Sequence, residues 1–139
     1  MADWMMALRT QLRGFMALHS YGTMWAYPYS YKNDTYPPNI AELKRISRQA
    51  YNNMKAVNGT SYILGTAPQL MYPISGFSMD WARSPKGPHI PLSFGIELQP
   101  PQSERRFIGF ILPPRYIIVA AKEGWAGVMT VADYILKHQ

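Results

Sequence analysis

The chain has 139 residues, no cysteine, a formal net charge of +6, and 47% hydrophobic and 14% aromatic residues. That length suits one domain, and the apolar content excludes intrinsic disorder. The lack of thiols excludes a disulfide framework, a cysteine nucleophile and any cysteine-ligated zinc or iron–sulfur site. Only 16% of residues are charged, and the lysines and arginines are scattered from Arg9 to Lys137 with no aromatic-basic stripe, so no nucleic-acid partner is expected. No apolar run approaches the ~18 residues of a membrane helix, so no membrane partner is expected either. The opening segment MADWMMALRTQLRG has neither the charge order nor the cleavage site of a secretory signal. Two Asn-x-Thr sequons, at Asn33 and Asn58, are a faint pointer towards secretion.

Twelve prolines and ten glycines divide the chain into short elements. Met5, Leu8 and Leu12 recur at helical spacing after Asp3 and predict a helix over 2–12. The run Phe15-Met16-Ala17-Leu18 reads as a strand buried on both faces and closed by His19. A short strand is expected near Thr23–Tyr27, then a Tyr/Pro/Gly-rich loop. From Pro38 a second helix is expected, with Asn39 and Glu42 as a capping box and Ile40, Leu43, Ile46, Ala50 and Met54 as its apolar stripe. It stops at Asn58-Gly59. A strand at Tyr62–Gly65, a loop at Leu70–Gly76, a short helix at Ser78–Ala82 and a strand at Leu92–Leu98 follow. Gln99–Arg106 reads as a polar loop and Phe107–Leu112 as an apolar run. A long helix from Pro114 closes the chain, with Ile117, Ala121, Trp125, Val128, Ala132 and Ile135 as its stripe. Helices alternating with hydrophobic strands define an α/β class, with helices on both faces of a mixed, mostly parallel sheet. Three or four strands are few for a complete α/β domain.

Two ionisable groups stand out. His19 closes an apolar strand, and Glu97 lies between Ile96 and Leu98 in another. A His at a strand end is commonly a hydrogen-bonded core residue, whereas a carboxylate in an apolar strand is costly unless paired. Both could face one cleft, because open α/β sheets bind ligands beyond the carboxyl ends of their strands. Asp80-Trp81 reads as a helix cap with a core neighbour, and the tyrosines at 21, 27, 29, 31, 36 and 72 read as loop packing. No phosphate-binding loop, Gly-x-Ser-x-Gly, His-x-x-Glu or His-Glu-x-x-His occurs, and His19, His89 and His138 have no metal-ligand spacing. The residues alone do not compose a full active site.

Four ordered segments carry a resemblance: LHSYGTMWAYPYSY (Leu18–Tyr31), YPPNIAEL (Tyr36–Leu43), MYPISGFSMDWA (Met71–Ala82) and FGIEL with GFILPP (Phe94–Leu98, Gly109–Pro114). In this order and spacing the chain resembles the C-terminal half of zinc metallocarboxypeptidases of the pancreatic A/B type. The resemblance implies the C-terminal part of an α/β/α sandwich of the carboxypeptidase/phosphorylase-like kind, closed by a long helix. It implies His19 as a zinc ligand, Glu97 as the general base that activates the attacking water, and Tyr72 as the tyrosine that closes over the substrate. Ser20 and Tyr21 would line the substrate groove, with Ser20-Tyr21 and Pro28-Tyr29 as cis bonds. Met79 would sit at the base of the pocket for the substrate's last side chain, with Ala26, Met71, Ile74, Phe77 and Gly95 around it. An apolar Met79 implies release of a C-terminal aliphatic or aromatic residue from peptides and proteins.

The sequence departs from the family in several places. Phe77 replaces a small residue and narrows the pocket, which the small Gly95 partly offsets; Gln99 replaces an arginine. The longer loop after Gln99 suggests an invertebrate-type member. The family's His-x-x-Glu, which supplies two further Zn2+ ligands, the arginine that polarises the carbonyl and the Asn-Arg pair that holds the substrate carboxylate lie upstream of the matching region. The expectation is therefore that residues 1–139 form the C-terminal portion of a catalytic domain. Alone, the chain would be inactive, with an exposed sheet edge and apolar surface, and would need the N-terminal half as a partner. The resemblance also implies an extracellular or secreted protein. A non-catalytic truncated paralogue or protein-interaction remnant is the alternative.

Overall fold

The computed structural model describes residues 1–101 and 109–138. Four strands, β1 (Gly14–Gly22), β2 (Met24–Ala26), β3 (Ile63–Gly65) and β4 (Leu92–Pro101), form one sheet in the order β1-β4-β2-β3. β1 is parallel to β4 and β2 to β3, while β2 runs antiparallel to β4, so the sheet is mixed and mostly parallel as expected. Among the described residues five α-helices accompany it: α1 (Ala2–Ala7), α2 (Ile40–Asn58), α3 (Ala67–Leu70), α4 (Ser78–Arg83) and α5 (Ile117–Lys137), the last entered through a 3-10 turn at Pro114–Tyr116.

The two faces of the sheet follow from strand alternation. Leu92, Phe94 and Ile96 of β4 and Trp25 of β2 pack on Leu43, Ile46 and Met54 of α2 and Val131 of α5. On the opposite face Phe15 packs towards Met5 of α1 and Ala82 of α4. Ser93, Gly95 and Glu97 alternate with the core residues of β4, and the Ser93 hydroxyl donates to the Met79 carbonyl at 2.9 Å. Glu97 is thereby placed on the α4 side.

Several elements differ from expectation. α1 ends at Ala7 instead of residue 12, and Leu8–Gln11 continue as turns. β1 does not close at His19 but runs on to Gly22, because its pairing with β4 continues past that point. Asn39 precedes α2 but makes no capping bond; its Nδ2 donates instead to Glu42 Oε2 at 3.0 Å and the Pro91 carbonyl at 3.1 Å. The capping box occurs at Thr66 and Gln69 of α3. β4 extends to Pro101, so Gln99 is a strand residue; the remainder of the expected Gln99–Arg106 loop, and Phe107 and Ile108, lie outside the described residues.

The stripe expected on α5 is rotated over its first half, while Val128, Ala132 and Ile135 are half-buried and Ile135 packs on the core. Ile117, Ala121 and Trp125 are exposed, and Ala120, Gly124, Gly127 and Val131 form the buried face. Hydrophobicity favours the bulky face, but space favours the small one. A Cβ on Gly127 would lie 2.7 Å from Trp25 Cζ3 and 2.9 Å from Met54 Sδ, so close approach of α5 to the sheet needs a glycine there.

Candidate active site

His19 and Glu97 are direct partners in the β1–β4 register, and Met24 of β2 pairs with Glu97 from the other side. One row across three strands therefore reads His19–Glu97–Met24. His19 is exposed and is no core residue. Glu97 is half-buried, and its Oε2 is shielded from solvent without a hydrogen-bond partner among the described residues. Burial raises the Glu97 pKa above the ordinary carboxylate range, and the neighbouring His19 acts in the opposite sense. A half-buried carboxylate with a free oxygen beside an imidazole can take and return a proton.

The next row, one pleat away on the same face, is Ala17–Gly95–Ala26. Three small side chains in register leave a shallow floor. Phe77, just before α4, fills it: a Cβ on Gly95 would lie 2.8 Å from Phe77 Cζ and 3.7 Å from Met79 Sδ. The same ring is 5.4 Å from the His19 ring, tilted by 49°. The large Phe77 and small Gly95 are thus reciprocal, and the fully buried Met79 adjoins the same floor at Gly95.

The other candidates lie around this cluster. Ser20 is exposed on β1; Tyr21 is half-buried and packs edge-on against Phe110 at 4.9 Å. The Ser20-Tyr21 and Pro28-Tyr29 bonds are cis, as is Gln99-Pro100. Tyr72 is 65% exposed in the loop after α3, flanked by the half-buried Met71 and Ile74. The Ile74 N–H donates to the Ser30 carbonyl at 2.8 Å and ties this loop to the segment after β2. Asp80 does more than stand before Trp81. It accepts hydrogen bonds from the Ser30 N–H at 2.7 Å and the Ser30 hydroxyl at 3.1 Å, bracing that segment.

One polar group near the site has no sequence signal. Glu123 of α5 is fully buried and accepts from the hydroxyls of Thr60 and Tyr62 and from Gln99 Nε2, the last at 2.9 Å. It thereby fastens the end of β4, two residues beyond Glu97, to the C-terminal helix. Its donors come from separate parts of the chain, so no local pattern announces the network.

The order of strands, the helices on both faces and the closing helix are those of the carboxypeptidase fold. Bovine thrombin-activatable fibrinolysis inhibitor, solved with tick carboxypeptidase inhibitor, superposes with a TM-score of 0.88 at 26% identity, over 99% of this chain and 44% of that one. Carboxypeptidase A from Helicoverpa armigera superposes with a TM-score of 0.81 at 28% identity, over 94% and 32%. Residues 1–127 match the zinc carboxypeptidase family, and the chain belongs to that family. It is similar to carboxypeptidase A2 of Rattus norvegicus, 34% identical over 92% of this chain and 29% of the relative. It is also similar to carboxypeptidase B of Bos taurus, 32% identical over 99% and 31%. The chain thus spans about three-tenths of the length of these relatives.

Family membership implies Zn2+, and the local residues fit one part of such a centre. His19 presents an imidazole beside a carboxylate oxygen that lacks a partner. Among the described residues, however, no group of three His, Cys, Asp or Glu side chains is placed to hold a metal, whereas a catalytic zinc takes three protein ligands. Among the described residues no helix is long and apolar enough to cross a membrane.

Proposed function

We propose that this chain is the C-terminal portion of a secreted, A-like zinc carboxypeptidase catalytic domain, acting on the C-termini of peptides and proteins. The observation that carries this reading is the registered His19–Glu97 pair with the unpartnered Glu97 Oε2. His19 would supply one zinc ligand, and a complementary portion of the domain would supply two more. Zinc held there supplies Lewis acidity, lowering the pKa of water and polarising a carbonyl. Glu97 takes a proton from the attacking water at its carboxylate and returns it to the departing amine. Ser20 and Tyr21 line the groove, and Tyr72 closes over the terminal residue. Met79 floors an apolar pocket bordered by Ala26, Met71, Ile74, Phe77 and Gly95, which selects a C-terminal aliphatic or aromatic side chain.

The isolated chain should not hydrolyse peptides. Mixing it with a portion of a related domain carrying His-x-x-Glu should restore chelator-sensitive release of C-terminal Leu or Phe. Glu97→Gln should lower that rate at least about 100-fold, the usual scale of general-base loss. An isolated chain as active as the mixture, or a fully active Glu97→Gln mixture, would refute the proposal. A mixture that assembles, by sedimentation, yet releases nothing would favour a non-catalytic binding remnant.

A further inference from the structure

A cleft of about 350 Å³ opens beside α4, with Tyr29, Tyr31, Phe77, Trp81 and Asp80 among its walls. The Tyr29 and Tyr31 rings are 5.7 Å apart and tilted by 52°, so they form an angled wall and not a flat stack. The Asp80 carboxylate is held by neutral donors, the Ser30 N–H and hydroxyl. Burial pushes this carboxyl upward, which hydrogen bonds from Ser30 and Tyr31 only partly offset. The aromatic wall is also braced: Ser30 bonds to Asp80 through its N–H and hydroxyl and to the Ile74 N–H through its carbonyl, joining the two loops that carry Tyr29, Tyr31 and Phe77. Phe77 borders both this cleft and the His19–Gly95 cluster, but Glu97 and His19 are not among the cleft's walls.

Aromatic faces around a partly desolvated anion attract a positive charge twice over, through the ring quadrupoles and through the carboxylate. A neutral guest would leave the Asp80 charge less well solvated than in the open cleft. We propose that this cleft binds the head group of an organic cation, an alkylammonium or a guanidinium, against Tyr29, Tyr31 and Trp81 and paired with Asp80. The inference stands independently of the carboxypeptidase reading.

The test uses the ¹⁵N-labelled full chain, following the Trp81 indole N–H by NMR. The chain is titrated with choline, with N-acetyl-arginine amide, and with 3,3-dimethylbutanol as the neutral isostere of choline. A saturable Trp81 shift is expected with at least one cation, with binding of the alcohol about ten-fold weaker or more. Preference for choline would mark a small quaternary ammonium as the source of the group; preference for the arginine amide would mark a peptide side chain. Asp80→Asn should weaken cation binding about ten-fold. Because that change also removes one of the two acceptors that brace Ser30, Tyr31→Ala serves as a second variant. Tyr31 is 50% exposed, and its loss should weaken binding about three-fold with the rest of the spectrum unchanged. Equal shifts with the neutral alcohol, or an unmoved Trp81 with both cations, would overturn the proposal.

Discussion

Phe77 and Gly95 show how a large and a small residue compensate. A phenylalanine before α4 would collide with almost any side chain on β4 at this point; the glycine and its small register partners Ala17 and Ala26 make room. Gly95→Ala should therefore force the ring aside and destabilise the fold by about 1–2 kcal/mol, as overpacking does. Phe77→Leu should relieve most of that cost, so the two changes should be non-additive in a urea double-mutant cycle. Additive effects would show that the ring moves freely. If the proposed assembly is active, Phe77→Ala should shift its preference from smaller aliphatic towards aromatic C-terminal residues, read as the ratio of kcat/KM for Phe and Val substrates. The residue types were legible in the sequence: a large residue in a narrow position and a small one elsewhere. Their contact was not, because eighteen residues separate them and only the packing of α4 on β4 brings them together.

At the scale of elements, α2 and α5 are held by a side-chain bridge as well as by packing. The Tyr134 hydroxyl on α5 donates to Glu42 Oε1 on α2 at 2.7 Å, and Asn39 donates to the other oxygen. The Tyr134 bond, then that of Asn39, holds the Glu42 carboxyl below its ordinary range. A carboxyl with a lowered folded pKa adds stability above its unfolded pKa and loses it as pH falls through the folded value. Glu42→Gln should thus cost about 0.5 kcal/mol at neutral pH, small because the pair is only half-buried and solvent screens it. The gap in urea midpoints should close on acidification through the carboxyl range; a constant gap would assign the effect to packing. Helical periodicity located α2 and its stripe well, since Leu43, Ile46, Ala50 and Met54 are all fully buried. On the first half of α5 it failed, where Ala120, Gly124 and Gly127 are buried and Ile117 and Trp125 are not, although Ile135 of the expected stripe does pack on the core. A hydrophobic pattern reports which residues prefer burial, whereas the width of the gap decides which fit.

Across the whole molecule, the described residues leave two apolar features uncovered. β1 is an edge strand with Leu18 54% exposed, and α5 presents Ile118, Trp125 and Leu136 to solvent. Long unpaired edges and contiguous apolar faces promote association. Leu18→Lys should reduce self-association of the isolated chain, measured by light scattering, while altering its stability by no more than about 0.5 kcal/mol. Unchanged scattering would place the association on α5, where Trp125→Lys would then be the effective change. In the proposed assembly the same surfaces would be available to the complementary portion of the domain.

The sequence by itself determined the class, the order of the elements and the identity of the ionisable pair, because these rest on periodicity, turn residues and ordered motifs that local chemistry dictates. It also determined the family, through four segments whose order and spacing survive without reference to shape. Tertiary structure alone decided that His19 and Glu97 stand side by side, since strand register is a long-range property. It likewise decided which face of α5 is buried, how Phe77 sits over Gly95, and that Asp80 closes an aromatic cleft. Each of these depends on the distance between segments remote in sequence, which no local pattern of residues encodes.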